Sequence, residues 1–584
     1  MRSAVIPLIT ASLLCPASLA IPSSPQQQLI GILTPPKESC PLPPKITVDN
    51  DNLAPSIRYL QDETILRRQV TRLSKAVQVP TAITDSMTDP YDGAFASFVD
   101  FQELLAQLFP LMYAPIAPSV HHSKAKIEHI NRLGLIITLD PSPDTAVKRK
   151  PILFTAHQDV VPIDDASDWT HPPFSGYFDG EFVWGRGSSD CKNKLIGTLS
   201  VVEDLLDQDW IPSRPVVLAF GFDEEAQGFQ GAGTIAQVLE ERYGQNGVEF
   251  ILDEGGTGLS SLRPLSHSAL EQDGEDDMIY ALPDVSEKGA LNMVLSLSVP
   301  GGHSSIPPKH TGVGIMSEII YKLENTDLDI FIPSLGLDHP SRRMLECQAR
   351  HSPRYVEDWL PSMLNSDDYA AVAEAVALSR GEDIRFTLQT SQAADIFNGG
   401  VKSNALPEKI QAVVNYRVAL HQTSEMVQQR TERIIRPIVE KHNLTWSSFS
   451  DTDKVEVEIS AGSGGHLTLS TMGTPLDPAP VSPTDIETSP VWARFAGVTR
   501  SVFESVPSLK GKTVVVSGDI MTGNTDTRFY WNLSRNIYRW SPAREGRSLN
   551  IHTVDERVGI DAHLEGMMLY YDLIRAFDKW DSTV

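Results

Sequence analysis

Residues 216–222, Val-Val-Leu-Ala-Phe-Gly-Phe, form an apolar run of strand length that leads directly into Asp223, Glu224 and Glu225. A β-prone run without polar positions is typical of a strand that is buried on both faces, as in a parallel sheet. Open α/β sheets place their sites at the C-terminal ends of such strands. We therefore predict a buried parallel strand that delivers three carboxylates to a functional edge.

Three adjacent acids are costly to hold together, because like charges a few ångströms apart raise each other's pKa unless cations or donors compensate. A bound metal ion is the usual compensation. For an isolated acid triplet, a solvated charged turn is the more frequent interpretation. Here several other apolar strands also end in candidate ligands, and this favours a metal site.

The composition is that of an ordinary globular protein and narrows the range of partners. A chain of 584 residues is long enough for at least two domains with substantial cores. The formal net charge of -26 argues against nucleic acid or an anionic membrane as a partner. It fits an acidic secreted or vacuolar enzyme.

The N-terminus has the layout of a cleaved signal peptide. Arg2 precedes an apolar run, and the small residues Ser18 and Ala20 predict cleavage after residue 20. An uncleaved signal anchor is the alternative, although the run is shorter than the roughly 20 residues that a membrane span needs. No later segment is apolar enough to cross a membrane. Residues 21–55, rich in Pro, Ser and Gln, are predicted to be a loosely ordered arm.

Glycosylation sequons and cysteines add little to this prediction. Asn443 and Asn532 begin Asn-X-Thr/Ser triplets, which suit a secretory route. Three cysteines remain after removal of the signal peptide, too few for a disulfide framework. Cys40 and Cys347 could pair, and Cys191 is interpreted as a small space-filling residue.

The chain contains two kinds of hydrophobic pattern, which divide it into regions. Apolar strands and helices alternate over residues 56–287 and again over 467–584, which predicts an α/β domain with a mainly parallel sheet. Residues 288–466 show alternating apolar and polar strands, including Val455–Ile459, and predict an inserted α+β domain with an antiparallel sheet solvated on one face. Among the predicted helices, one begins near Glu63 and buries Leu66, Val70, Leu73 and Val77.

Polar residues follow the apolar strands at their C-terminal ends. Imidazoles and carboxylates without a usable cysteine pair favour zinc or a similar divalent ion, and their number suits two ions better than one. The candidate ligands and their neighbours are His157, Asp159, Asp190, Glu224, Glu225, Asp253 and His552. Asp253 and Glu254 compete for one ligand position, and the end of the strand favours Asp253.

Four motifs together resemble the two-zinc aminoacylase and carboxypeptidase family, in the expected order and over roughly residues 60–580. The motifs are His157-Gln-Asp-Val-Val-Pro162, Gly185-Arg-Gly-Ser-Ser-Asp-Cys-Lys192, Asp223-Glu-Glu225 and Gly302-His-Ser-Ser305. Leu252-Asp-Glu-Gly-Gly256 and Thr525-Asp-Thr-Arg528 resemble the carboxypeptidase S branch of the family.

The resemblance implies a role for each candidate residue. Asp190 would bridge two zinc ions, for which cobalt or manganese could substitute. His157 and Asp253 would complete one metal site, and Glu225 and His552 the other. Glu224 would act as the general base, with Asp159 behind His157 to fix its tautomer.

The resemblance also implies how the substrate is held. His303, from the inserted domain, would stabilise the oxyanion, and Asn404, Arg417 and Arg528 would bind the substrate carboxylate. A structural ion pair is the alternative for Arg417 and for Arg528. In dimeric relatives the histidine equivalent to His303 serves the partner's site. A homodimer through the inserted domain is therefore implied, although the long stretch between Pro308 and Arg385 could alter that interface.

The predicted function is a secreted or vacuolar metallocarboxypeptidase that removes C-terminal residues from peptides with a free carboxylate. An N-acyl amino acid amidohydrolase would use the same chemistry, and the sequence does not separate the two substrates. A catalytically silent homologue would be expected to have lost a ligand or the base, and none is missing here.

Overall fold

The computed structural model describes residues 40–113, 125–142, 145, 148–256, 258–262, 276–325, 330–449 and 464–582. The predicted signal peptide, the first part of the arm and the predicted strand Val455–Ile459 lie outside these residues. Helices of more than eight residues occupy Glu63–Val77, Ala96–Leu108, Lys192–Asp207, Ala232–Tyr243, Gly312–Asn325, Pro340–His351, Tyr369–Arg380, Ser424–Lys441, Pro490–Phe503 and Ile560–Asp578. Short helices occupy Arg58–Gln61, Pro110–Tyr113, Leu360–Met363 and Glu382–Leu388.

A central sheet of eight strands is built around Val216–Gly221, which is buried at every position, as its apolar sequence predicts. That strand pairs in parallel with Ile152–His157, which in turn pairs in parallel with Ile251–Asp253. In spatial order the strands are Lys126–Ile130, Gly134–Leu139, Val216–Gly221, Ile152–His157, Ile251–Asp253, Ile537–Arg539, Asp284–Glu287 and Asp519–Met521. Parallel pairing brings three strand ends to one edge, where their following residues meet.

Helices cover this sheet on both faces. The helices Lys192–Asp207, Pro490–Phe503 and Ile560–Asp578 share one large apolar cluster with the sheet, and Ala232–Tyr243 contributes to another. The α/β class with a mainly parallel central sheet is therefore confirmed. Smaller sheets flank it at Gly258–Ser260, Met278–Leu282 and Thr513–Val516, and at Tyr177–Phe178, Phe182–Trp184, Ser548–Leu549 and Arg557–Gly559.

A second sheet of five strands is largely antiparallel and has its own apolar cluster with two helices, Gly312–Asn325 and Ser424–Lys441. Its order is Ser391–Gly399, Lys409–Val418, Gly289–Ser298, Gly465–Leu476 and Leu444–Ser447. The chain enters this sheet at Gly289 and leaves it after Leu476, ten residues beyond the predicted boundary at 466. The domain limits given above remain a prediction.

Helices Pro340–His351 and Tyr369–Arg380 account for much of the long stretch between Pro308 and Arg385. Their apolar residues share a cluster with Tyr280, Leu282 and Val515, which belong to the three-stranded sheet beside the central one. Among the described residues, these two helices therefore pack against the three-stranded sheet and not against the five-stranded sheet.

Residues 40–55 have no helix or strand but are held firmly to the body. Cys40 forms a disulfide with Cys347, and the Arg575 guanidinium donates to the Asp51 carboxylate at 2.7 Å. Ile46 donates its N–H to the carbonyl of Gly497 at 3.0 Å. This part of the arm is ordered, and its composition did not indicate so. Among the described residues, no helix combines the length and the apolar character that a membrane crossing requires.

Asp284 is a buried acid whose cost of burial gives a pH-dependent prediction. It lies on the strand Asp284–Glu287 and is 3% exposed, and its Oδ1 has no hydrogen-bond partner among the described residues. Burial and then the charge of Asp519 raise the pKa of Asp284 well above its usual value. The folded protein thus keeps a proton that the unfolded chain loses near pH 4, and stability falls as pH rises above that point.

Asp284→Asn is expected to raise the free energy of unfolding at pH 8 by about 1–3 kcal/mol, because the amide is neutral at every pH and folding then requires neither a buried charge nor the uptake of a proton. The gain should shrink at pH 4, where the unfolded wild type also begins to hold the proton. Thermal unfolding at both pH values measures this, with the exposed Asp277→Asn as the matched control. Equal effects of Asp284→Asn at pH 4 and pH 8 would contradict the explanation.

Candidate metal centre

Three strand ends and two loops bring imidazoles and carboxylates together at one edge of the central sheet. His157 is the last residue of the strand Ile152–His157, and Glu224 and Glu225 open the short 3-10 turn after Val216–Gly221. Asp190 precedes the helix Lys192–Asp207, and His552 lies in the loop before the strand Arg557–Gly559. The sheet therefore gathers residues that are almost 400 positions apart in sequence.

Asp190 lies between the two histidines. Its Oδ1 is 3.0 Å from Nε2 of His157, and its Oδ2 is 3.1 Å from Nε2 of His552. The same His552 nitrogen is 3.1 Å from Oε1 of Glu225. One carboxylate thus presents an oxygen to each imidazole, the arrangement that a ligand bridging two ions requires.

Three overlapping groups of side chains have ligand atoms within 4.8 Å of one another. They are His157, Asp190, Cys191 and Glu254; His157, Glu224 and Glu225; and Asp190, Glu225 and His552. Imidazole nitrogens and carboxylate oxygens at this spacing fit divalent ions such as zinc. The donor set therefore suits a metal centre with more than one ion.

Among the described residues, the groups of candidate ligands include Glu254 and not the predicted ligand Asp253. Oε1 of Glu254 is 3.1 Å from Nε2 of His157, whereas Oδ1 of Asp253 accepts the N–H of Glu254 at 2.9 Å. Successive side chains at a strand end point to opposite faces, so only one of the two can face the cluster. Glu254 is therefore the acid within reach of His157, and the assignment of Asp253 as a ligand stays a prediction. Burial lowers the pKa of the nearby Lys194 to about 8, against the opposing charge of Asp253.

Asp159 lies behind His157, as expected. Nδ1 of His157 is 2.9 Å from the Asp159 carbonyl oxygen and 3.3 Å from the carboxylate Oδ1. A proton on Nδ1 can serve both oxygens, which leaves Nε2 as the ligand atom. The other carboxylate oxygen of Asp159 accepts the N–H of Glu225 at 2.9 Å, so Asp159 also fixes the turn that carries the acids.

The electrostatics of the centre are those of a site built for cations. Burial raises the pKa of Glu224 well above its usual value, and the charges of Glu254, Asp526 and Glu225 add to the effect. Burial likewise raises the pKa of Glu254 to about 7. The pKa of His552 is raised to about 10, because its imidazole makes hydrogen bonds with Asp190 and Glu225. Bound dications would offset this concentration of negative charge.

Two residues that support the centre were not predicted. Glu556 accepts the N–H groups of Ser189 and Asp190 at 2.9 and 3.1 Å and pairs with Arg186 at 2.7 Å, so it holds the loop that carries Asp190. Asp526 is buried beside Gly221 and Gly228, where any Cβ would collide with its carboxylate. No sequence motif marks Glu556, whereas Asp526 could have been identified because it lies within the Thr-Asp-Thr-Arg motif already noted.

The predicted substrate-binding residues lie outside the cluster. Gly302–His303 pairs with Ala405–Leu406 in a small, largely exposed two-stranded antiparallel sheet, next to Asn404. Among the described residues, neither His303 nor Asn404 contacts the metal-ligand cluster. The predicted glycosylation residues Asn443 and Asn532 are both exposed.

The two predicted arginine anchors have different surroundings. Arg417 lies on the strand Lys409–Val418 and donates to the side-chain oxygen of Asn524 at 2.8 Å. Arg528 donates to the carbonyl of Gln227 and lies over the rings of Phe229 and Phe529, within 5 Å of both centroids. Arg528 thereby holds the end of the turn that carries Glu224 and Glu225.

Comparison with known proteins agrees with this fold. Residues 153–576 match the sequence model of Peptidase family M20/M25/M40, and the chain belongs to this family. It is therefore a hydrolase of a metallopeptidase family.

Among its relatives is carboxypeptidase S of Saccharomyces cerevisiae, 35% identical over 539 residues that cover 89% of this chain and 87% of that protein. The human N-fatty-acyl-amino acid synthase/hydrolase PM20D1 is 29% identical over 528 residues, 89% of each chain. The fold is similar to that of human carnosine dipeptidase 1, with a TM-score of 0.59 and 13% identity over 90% of this chain and 100% of that one. It is also similar to an M20 family metallo-carboxypeptidase from Sulfolobus solfataricus, with a TM-score of 0.54 and 15% identity over 88% and 99% of the two chains.

Proposed function

We propose that the protein is a two-zinc metallocarboxypeptidase that hydrolyses the C-terminal peptide bond of peptides with a free carboxylate. The observation that carries the proposal is the placement of Asp190 between His157 and His552, with Glu225 and Glu254 on either side. His157, Asp190 and Glu254 would hold one ion, and Asp190, Glu225 and His552 the other. When bound, the two ions polarise the scissile carbonyl and lower the pKa of a water molecule.

Glu224 is the group placed to move the proton. It follows the ligand-bearing strand and lies with His157 and Glu225 in one of the three groups, but it is not needed to complete either ligand set. Its carboxylate would take a proton from the attacking water and return it to the leaving amine.

The carboxylate of the substrate would be bound by Arg417, with Asn404, and His303 would donate to the oxyanion. His303 and Asn404 lie at a largely exposed two-stranded sheet, a position that suits residues acting on the partner subunit's site. The edge strand Ser391–Gly399 exposes Ile396 and Phe397 and leaves one row of backbone groups unpaired within the sheet. We include in the proposal a homodimer formed through this strand. Sedimentation velocity tests it, and a monomeric wild type would overturn it.

The proposed location is the secretory route, ending outside the cell or in a vacuole. The signal-peptide layout of residues 1–20 supports this location, as does the Cys40–Cys347 disulfide, because such bonds persist in oxidising compartments. N-glycosylation at Asn443 and Asn532 is part of the same proposal.

Hydrolysis of benzyloxycarbonyl-glycyl-leucine by the purified chain tests the function. Release of leucine is expected, with loss of activity on chelation and recovery on addition of zinc. Recovery with cobalt or manganese but not zinc would contradict the choice of metal. No release by the zinc-loaded protein would overturn the carboxypeptidase assignment.

An N-acyl amino acid amidohydrolase is the second candidate, and the similarity to the N-fatty-acyl-amino acid synthase/hydrolases favours it. Both activities need an anchor for the carboxylate, and they differ in the group on the acyl side. Comparing kcat/KM for benzyloxycarbonyl-glycyl-leucine and for a long-chain N-acyl leucine separates them. A silent homologue is disfavoured because the base and the ligand set are all present.

A further inference from the structure

The loop Asn524–Arg528 connects the metal centre to the point where the chain passes from one sheet to the other. Thr525 and Thr527 donate their hydroxyl groups to the carboxylate of Glu287 at 2.7 and 3.0 Å. Asn524 donates its Nδ2 to the carbonyl of Lys288 at 2.6 Å. The loop is therefore fixed to the crossing between the strands Asp284–Glu287 and Gly289–Ser298.

Lys288, the single residue between those two strands, is itself held in place. Its buried Nζ donates to the carbonyls of Phe386 and Gln389 at 2.8 and 2.7 Å. These carbonyls lie at the end of the helix Glu382–Leu388, where a cation is favoured. The Lys288 carbonyl is thus a fixed acceptor for the Asn524 side chain.

The other end of the Asn524 amide contacts Arg417. The Asn524 Oδ1 accepts from Nη1 of Arg417 at 2.8 Å, and no carboxylate pairs with Arg417 within the described ranges. Arg417 is only partly exposed, and this partial burial lowers the pKa of its guanidinium. A neutral amide can orient the group without cancelling its charge, and the remaining N–H donors stay available for a carboxylate.

We propose that Asn524 is a positioning residue that orients Arg417 for the C-terminal carboxylate of the substrate. The inference rests on the proposed function, because it takes Arg417 as the carboxylate anchor. It adds that a side chain outside the metal centre determines how strongly the enzyme prefers a free carboxylate. It also explains why an amide, and not an acid, occupies position 524.

The test compares benzyloxycarbonyl-glycyl-leucine with its C-terminal amide. For Asn524→Ala, we expect the ratio of kcat/KM for the acid to kcat/KM for the amide to fall about tenfold. The change should come from KM of the acid, with kcat within about twofold. Asn524→Asp should lower the ratio further, by about a hundredfold, because a carboxylate at that position pairs with Arg417 and competes with the substrate.

Asn292→Ala is the matched control. Asn292 lies on the neighbouring strand of the same sheet, and its side chain contacts Asn415, two residues before Arg417. Its replacement should leave the ratio unchanged. Metal content and the melting temperature are measured for every variant, and a structural role for Asn524 would lower activity on both substrates equally.

The outcomes separate this inference from the proposed function. If Arg417→Ala lowers the ratio and Asn524→Ala does not, Arg417 remains the anchor and the role of Asn524 is overturned. If the wild type hydrolyses neither substrate, the proposed function fails. Calorimetric binding of benzyloxycarbonyl-leucine then decides on Asn524: a Kd about tenfold weaker in Asn524→Ala supports positioning, and an unchanged Kd overturns it.

Discussion

Glu224→Gln is expected to remove turnover while leaving the metal content of the protein unchanged. Positioned general bases contribute about 10²–10⁴-fold to the rate, and a glutamine cannot accept the proton from water. We therefore expect kcat to fall by that factor with KM little changed. Glutamine keeps the size of the side chain, so the packing around the turn is preserved.

Glu225→Gln is the matched control for Glu224, because the two acids are adjacent in the same turn. The Glu225 carboxylate lies 3.1 Å from His552, and its replacement should release metal as well as activity. Metal analysis after dialysis and initial rates with benzyloxycarbonyl-glycyl-leucine measure both effects. Parallel loss of metal from the Glu224 and Glu225 variants would make Glu224 a ligand and overturn its assignment as base.

The second large effect is expected at Glu254. Its carboxylate lies 3.1 Å from His157, whereas Asp253 accepts the backbone N–H of Glu254. Glu254→Gln should lower the metal content from about two ions to about one per chain and reduce activity by about 10²-fold or more.

Asp253→Asn should retain both ions, because Asp253 acts on Glu254 through the backbone and not on the metal. A smaller loss of activity, about tenfold or less, is expected from the disturbed orientation of its neighbour. Titration of each apoprotein with zinc, followed by calorimetry, distinguishes the two positions. Loss of an ion from Asp253→Asn and its retention by Glu254→Gln would restore the ligand predicted from the sequence.

These two acids show where a sequence stops being informative about this site. The strand Ile251–Asp253 and its acidic end could be predicted from the apolar run, as could the neighbouring strand with His157. The choice between Asp253 and Glu254 depends on which face of the strand meets the cluster. Because side chains alternate along a strand, that choice depends on a shift of one residue, which the apolar pattern does not determine.

The first long helix shows a similar limit. Periodicity predicted Leu66, Val70, Leu73 and Val77 as its buried face, and Leu73 and Val77 are indeed fully buried. The structure, however, also buries Gln69 and Arg72 and leaves Leu66 and Val70 only partly covered. Arg72 donates to Ser200 on the helix Lys192–Asp207, and Gln69 accepts from the same hydroxyl. A hydrophobic pattern cannot predict the burial of polar side chains whose hydrogen bonds are made inside the protein.

The wide spacing of the ligands has a consequence for the biosynthesis of the protein. Because one side of the centre comes from position 157 and the other from position 552, a ribosome has to complete nearly 400 further residues before both halves exist. A partly made chain can fold strands around His157 and Glu225 but cannot hold the second imidazole. Under the proposed function, peptidase activity would therefore arise only late in synthesis, and an incomplete chain would not hydrolyse peptides.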